Sequence, residues 1–385
     1  MNFLLRPNCL RPVLTRLPTR AFSPSYLYYL SYSTTKQSKT VTKMGKNKKK
    51  QTPGEEHLIL PLHPSRSTSP SPHPSSALVV DTHTHLLSTF EAYRKAYKPG
   101  KYETVWDFAR AMYDGHSIEA IIDVWCEAPI RKKEWKEIAD SAIDAERRKK
   151  DWGGLEYWFV MGVHPHEANL YTDEVEQDIL EAMAHPRCVG WGEIGLDYHY
   201  DNSPREVQQQ VFIRQLRHAV RLGKSLTIHT REAEEDTERI LKAEVPKDHR
   251  IHIHCFTDSA EWAQRMQAHF PNLFIGITGV ITYTTNMNTS AVVRDMINTS
   301  KLRILLETDA PFMTPSNLYN HLTDPGIKGM RLPLCHSAMI PWVAEFVANV
   351  ANDSLAAISP ELGDVWSVDK IIKTARDNAK IVYGV

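Results

Sequence analysis

The chain has 385 residues, 42% apolar and 24% charged, the usage of an ordinary globular protein with a sizeable core. No run of eighteen uncharged apolar residues occurs, which excludes a membrane-spanning helix. The five scattered cysteines exclude a disulfide scaffold or a cysteine-rich zinc module and fit a reducing compartment. The formal charge of zero hides an asymmetry: residues 1–50 hold eleven Lys and Arg and no acid, leaving 35 basic against 46 acidic groups beyond them. The body is therefore no broad electrostatic trap for nucleic acid.

Residues 1–35 combine Arg6, Arg11, Arg16 and Arg20 with Leu, Ser and Tyr, the composition of a mitochondrial transit peptide, which makes 1–43 a candidate leader. Met44-Gly45 followed by Lys46, Lys48, Lys49 and Lys50 reads as a second start with a lysine run, either a nuclear signal or a solvated tail. The first reading addresses the protein to the mitochondrion, the second to the cytoplasm or nucleus. From Pro61 to Ser76, eleven of sixteen residues are Pro or Ser, too little apolar surface to impose order. Residues 1–76 are thus expected to be disordered and dispensable for chemistry, with the folded domain at 77–385.

From Ala77 onward, β-rich runs alternate with amphipathic stretches. The runs are Ala77–Val80, Ile118–Val124, Tyr157–Gly162, Cys188–Trp191, Ser225–Ile228, Ile251–Ile253, Leu273–Ile277 and Leu302–Leu306. Pro204–Leu222 is a typical intervening helix, with Pro at its first turn and Gly223 just past its end. Eight strands alternating with helices predict an α/β fold, the (β/α)8 TIM barrel. An open doubly wound sheet fits less well, because no Gly-rich phosphate loop follows the first run.

The histidines and carboxylates fall at the ends of these runs. His83 and His85 follow the first, His164 and His166 the third, Glu193 and Asp197 the fourth, His229 and Arg231 the fifth, His254 the sixth, and Asp309 the eighth. Parallel barrel strands bring all these ends to one face, where barrel active sites lie. Residues i and i+2 of an extended segment point the same way, so His83 and His85 can grip one ion. Each residue alone has a plainer explanation. A lone buried histidine such as His164 is usually a hydrogen-bonded core residue, Asp197 or Asp258 could cap the next helix, and Cys255 reads as a core side chain. Four histidines (His83, His85, His229, His254) and two carboxylates (Glu193, Asp309) together are not independent accidents: they predict a metal centre for zinc, manganese, iron or magnesium rather than a softer ion. Six ligands exceed what one catalytic zinc needs, so two ions bridged by Glu193 are expected.

The segments His83-Thr84-His85, Gly162-Val163-His164-Pro165-His166, Gly192-Glu193-Ile194-Gly195-Leu196-Asp197, His254-Cys255-Phe256 and Glu307-Thr308-Asp309-Ala310-Pro311 resemble the TatD family. These are metal-dependent deoxyribonucleases and hydrolases with a barrel of the amidohydrolase type. The resemblance covers residues 77–385. It implies that barrel, two divalent ions and phosphodiester hydrolysis, often 3′-to-5′ on DNA, and it places the family's ligands on His83, His85, Glu193, His229, His254 and Asp309. Glu91–Trp125 and Arg331-Leu332-Pro333-Leu334-Cys335-His336 resemble a fungal branch described as binding a TPR-repeat subunit of the anaphase-promoting complex, which makes such a subunit a candidate partner. No membrane partner is implied, and a monomer is expected.

This chain departs from the family pattern on the substrate side. Leu87 stands where the family carries an Asp after the first His pair, an aromatic insertion spans Ser88–His116, and Pro315–Pro333 replaces a basic segment. DNA, another phosphoester, and a small amide or lactone therefore remain candidate substrates. Relatives cleaving such small substrates often bridge their metals with a modified Lys, and Glu193 leans instead toward the nucleases. A non-catalytic barrel kept as a binding partner predicts eroded ligands, and none of the six is eroded. Asp309 is expected to act as general base, with Glu193 bridging the ions. His164 and His166 are expected to face the substrate, His166 binding a phosphate or protonating the leaving oxygen. Arg231 is expected to clamp phosphate through its planar fork.

Overall fold

In the computed structural model the β-rich runs become eight parallel strands, hydrogen-bonded in chain order from first to last. They are β1 (Val79–Thr84), β2 (Ile118–Trp125), β3 (Glu156–Met161), β4 (Cys188–Asp197), β5 (Ser225–Arg231), β6 (Ile251–Ile253), β7 (Leu273–Ile277) and β8 (Ile304–Leu306). The structure describes residues 52–67, 77–298, 301–363 and 365–385. The candidate leader at 1–43, the lysine run and the Pro/Ser stretch from 68 to 76 lie outside the described residues.

A one-turn helix α1 (Pro64–Ser67) precedes the barrel, and helices α2 (Leu86–Ala96) and α3 (Val105–Tyr113) join β1 to β2. Helices α4 (Lys132–Ser141) and α5 (Ala145–Trp152) then lead to β3, α6 (Asp173–Met183) to β4 and α7 (Arg205–Leu222) to β5. The remaining connections carry α8 (Glu234–Glu244), α9 (Ala260–His269) and α10 (Asn288–Asn298), and α11 (Ile340–Ile358) and α12 (Val368–Tyr383) follow β8. This is the expected TIM barrel. Helix α7 ends as its sequence implies, at Gly223 with φ +64°, a left-handed cap that glycine adopts without steric cost. Among the described residues no helix is long and apolar enough to cross a membrane.

Alternate strand residues divide between two cores, as a pleated strand dictates. Val80, Ala120, Ile122, Val124, Val160, Phe274 and Leu305 form one cluster with Ala379, Val382 and Tyr383 of α12. Most other buried apolar side chains, from Ile121 and Phe159 to Ile228 and Ile253, form a continuous second cluster with the helices. The ring closes at β1 and β8, where Thr84 bridges Ala310, Asp309 N–H donates to the His83 carbonyl (2.9 Å) and His85 N–H to that of Ala310 (2.9 Å).

Several strands run further than the apolar pattern indicates. β1 extends through His83 to Thr84, β4 through Glu193 to Asp197 and β5 through His229 to Arg231. Their polar side chains interrupt the hydrophobic run without interrupting the ladder. The site residues at these positions therefore stand on strands rather than on loops.

The expectation of a structureless segment through residue 76 fails for 52–67, which form a strap against the barrel. Leu58, which closes a short 3-10 turn (Glu55–Leu58), and Leu60 are buried, while Ile59 between them is exposed. The Leu58 carbonyl accepts a hydrogen bond from His336 Nε2 (3.0 Å), Tyr97 donates to the Pro53 carbonyl (3.1 Å), and Arg66 donates to that of Ala77 (2.7 Å). The insertion between β1 and β2 receives the strap: Tyr93, packed with Phe90, Tyr97, Tyr102 and Phe108, donates its hydroxyl to Glu55.

Candidate metal centre

Glu193 is the hub of the barrel mouth. Its Oε2 lies 3.4 Å from His83 Nε2 and 3.8 Å from His85 Nε2. Its Oε1 lies 2.7 Å from His254 Nε2, 2.8 Å from His229 Nδ1 and 3.4 Å from His164 Nε2. Asp309 Oδ1 joins the first side, 3.4 Å from His85 Nε2 and 3.7 Å from His83 Nε2. The structure thus brings all six expected ligands together around one carboxylate with two differently engaged oxygens. One lobe holds His83, His85 and Asp309. Around the other oxygen stand His229, His254 and His164, with His254 also close enough to His83 to share an ion with it. His164, expected beside the substrate or in the core, stands inside this cluster.

Backbone geometry sets these side chains. His83 and His85 flank Thr84 at the end of β1, as the period of two requires. In β4, Gly195 pairs with His229 of β5 and adopts φ +148°. A Cβ there would lie 1.9 Å from the His229 carbonyl oxygen, so only glycine admits the approach of the two strands that carry Glu193 and His229. Asp309 sits at φ +51°, a left-handed conformation that Asp tolerates better than most residues.

Asp197 is neither a cap nor a bystander. Helix α7 begins after Pro204 with no side-chain cap, and α9 is capped by Ser259 rather than Asp258. Asp197 Oδ1 accepts the amides of His199 and Tyr200 at 3.0 and 3.1 Å. Its Oδ2 lies 3.1 Å from His229 Nε2 and 3.0 Å from His166 Nε2. A proton on His229 Nε2 shared with Asp197 leaves the Nδ1 lone pair facing the cluster, the arrangement by which a carboxylate orients a ligating imidazole. His166, expected near an open rim, is instead only 7% exposed and held against this carboxylate. Arg231 lies at the edge, its guanidinium 4.9 Å from the Tyr200 ring centre. Cys255 is half-buried against Thr278 rather than in the core.

Sequence reasoning missed two further features. Cys126 Sγ approaches Glu193 Oε2 at 3.8 Å; nothing marked it, because it follows β2 among apolar residues. Below the mouth, His252 Nε2 meets Glu307 Oε2 at 2.8 Å and His252 Nδ1 meets the Tyr383 hydroxyl at 2.8 Å. The sequence signal for this pair was their period-two spacing from His254 and Asp309.

The electrostatics demand positive charge. With no cation bound, burial disfavours charge on His85, yet its hydrogen bond to Asp309 and the charges of Asp309 and Glu193 outweigh burial and raise it to about 9. His229 follows the same logic through Asp197 and Glu193, rising to about 10. Burial and the charge of neighbouring His166 push His164 down to about 3. Burial opposes ionisation of Glu193, but the surrounding imidazoles hold it well below its ordinary value. His83 Nε2 is buried without a hydrogen-bond partner. A buried set of imidazoles and carboxylates with an unsatisfied nitrogen aimed inward fits divalent ions of the zinc or manganese type.

The family model described as TatD related DNase matches residues 80–384. The human 3′-5′ RNA nuclease TATDN2 is 40% identical over 176 residues, a stretch covering 46% of this chain and 23% of that protein. The 3′-5′ ssDNA/RNA exonuclease TatD of Escherichia coli K12 is 31% identical over 206 residues, covering 54% of this chain and 78% of that one. Among solved structures, an uncharacterized amidohydrolase from Saccharomyces cerevisiae superposes with a TM-score of 0.60 at 20% identity, over 80% of this chain and 100% of that one. That likeness carries the fold.

Proposed function

The chain belongs to the TatD related DNase family, and from that premise we propose that it is a phosphodiesterase removing nucleotides from the 3′ end of single-stranded DNA or RNA, in which His83, His85, Glu193, His229, His254 and Asp309 would hold two divalent ions. The observation that carries this reading is the division of labour at Glu193: one oxygen faces the His83, His85 and Asp309 lobe, the other the His229 and His254 lobe. Divalent ions held by these residues would supply Lewis acidity, which would acidify a bound water and offset charge on the phosphoryl oxygens.

The protein's own groups do the rest. Asp309, with Oδ1 toward His83 and His85, accepts the proton of the attacking water. Asp197 fixes the tautomer of His229 and the orientation of His166. His164 and His166 lie side by side, ring centres 4.4 Å apart, and contact the phosphate and the leaving oxygen. Arg231, stacked over the Tyr200 ring, clamps the phosphate at the rim through its planar fork. The acidic body limits phosphate contacts to this rim, which suits recognition of an end rather than of a long duplex.

The test is digestion of 5′-labelled single-stranded DNA and RNA by the full chain with Mg²⁺, Mn²⁺ or Zn²⁺. A ladder shortened from the 3′ end and abolished by chelator is expected. Turnover of a small aryl phosphodiester without degradation of either nucleic acid would retain the chemistry and reject the substrate.

A further inference from the structure

Three side chains from three separate elements converge away from the barrel mouth. His63 comes from the strap, His321 from the loop after β8, and Glu345 from α11. Their ligand atoms all lie within 4.8 Å of one another, with His63 Nε2 3.6 Å from Glu345 Oε1 and His321 Nε2 3.6 Å from Glu345 Oε2. The His63 side chain is 2% exposed, and its Nε2 is buried without a hydrogen-bond partner.

We propose that His63, His321 and Glu345 form a second metal site, independent of the catalytic centre, which takes one Zn²⁺ and clasps the strap to the barrel. The spacing supports it. Ligand atoms on a tetrahedral zinc with bonds of about 2.0–2.1 Å stand roughly 3.3 Å apart, close to the two separations here, which are too long for direct hydrogen bonds. The supporting contacts are those a metal site requires. His63 Nδ1 lies 2.9 Å from Ser65 Oγ and accepts the Ser65 amide at 3.3 Å, contacts that hold the ring with Nε2 toward Glu345; ligation through Nε2 places the ring proton on Nδ1, shared with Ser65 Oγ. Asn317 Nδ2 donates to Glu345 Oε2 (2.8 Å) and to the Trp342 carbonyl (2.9 Å), anchoring the carboxylate to its helix. The fourth zinc position opens to solvent beside the partly exposed His321 and Glu345. His57 and Asp324, 3.7 Å apart, bring the strap and the same loop together at a second point.

Zinc stoichiometry and strap protection test this together on the full chain. His321→Ala and Glu345→Gln, both at partly exposed positions, are compared with wild type after dialysis against zinc and elemental analysis; His63→Gln is the alternative should either fail to fold. Each variant is expected to carry one zinc fewer per chain. Trypsin is expected to cut after Arg66 at least ten-fold faster in wild type stripped by chelator than with zinc restored, and equally fast in His321→Ala with or without zinc. Equal zinc content in wild type and folded variants, or cleavage in wild type indifferent to zinc, overturns the proposal and leaves an ordered water as the bridge.

Discussion

Replacing Asp309 with Asn keeps the volume and one oxygen facing His83 and His85 but removes the carboxylate that we propose accepts the proton. Asp309→Asn is expected to fold, retain metal and lose about 10²-fold or more in kcat, the scale of general-base catalysis; near-native turnover with metal bound would place the base elsewhere. Asp197 acts one step removed, through its contacts to His229 and His166 at 3.1 and 3.0 Å. Asp197→Asn is expected to weaken metal binding by about 10- to 100-fold, read by competition with a chromogenic chelator. Unchanged affinity would show that His229 is oriented by its strand alone.

At the scale of elements, the strap is part of the folded domain. Leu58 is fully buried in the main core, so Leu58→Ala is expected to cost about 2–5 kcal/mol, measured by urea denaturation. A chain beginning at Ala77 is expected to melt below one beginning at Thr52; equal midpoints would mean that the strap adds no stability. The strands were legible because β-branched runs and their terminal histidines recur with regular spacing, and the six ligand candidates followed from strand ends alone. The strap was illegible because its apolar run, Leu58 to Leu62, is short and broken by Pro61 ahead of the Pro/Ser stretch, and its partners, His336 and the Tyr93 cluster, are remote in sequence. Asp197 was misjudged for a related reason. A carboxylate at a strand end resembles a helix cap until the facing strand shows that His229 claims it.

Across the whole molecule, buried carboxyl groups set how stability responds to pH. Asp258 is lifted to about 7 by burial and by the charge of Glu234, whereas the unfolded chain releases this proton near 4. Between those values the folded state holds the extra proton, so this group's contribution to stability is present at pH 4 and is lost as pH rises through 7. The loss is at most about 4 kcal/mol, from a displacement of about three units. Asp258→Asn is expected to flatten that part of the curve and to melt higher than wild type at pH 8. A wild-type-minus-variant difference that does not change between pH 4 and 8 would rule it out.

Strand order following chain order has a consequence for synthesis. Each of β2 to β7 pairs only with its neighbours in sequence, so the barrel can grow as the polypeptide emerges. Its ligand set cannot. His83 and His85 leave the ribosome near the start of the domain and Asp309 near its end, and the amide of Asp309 itself helps to lock the ring by bonding the His83 carbonyl. Closure and assembly of the first lobe are one event. A metal-dependent hydrolase of this design completes its ligand set only when its last strand has been made and the ring is shut.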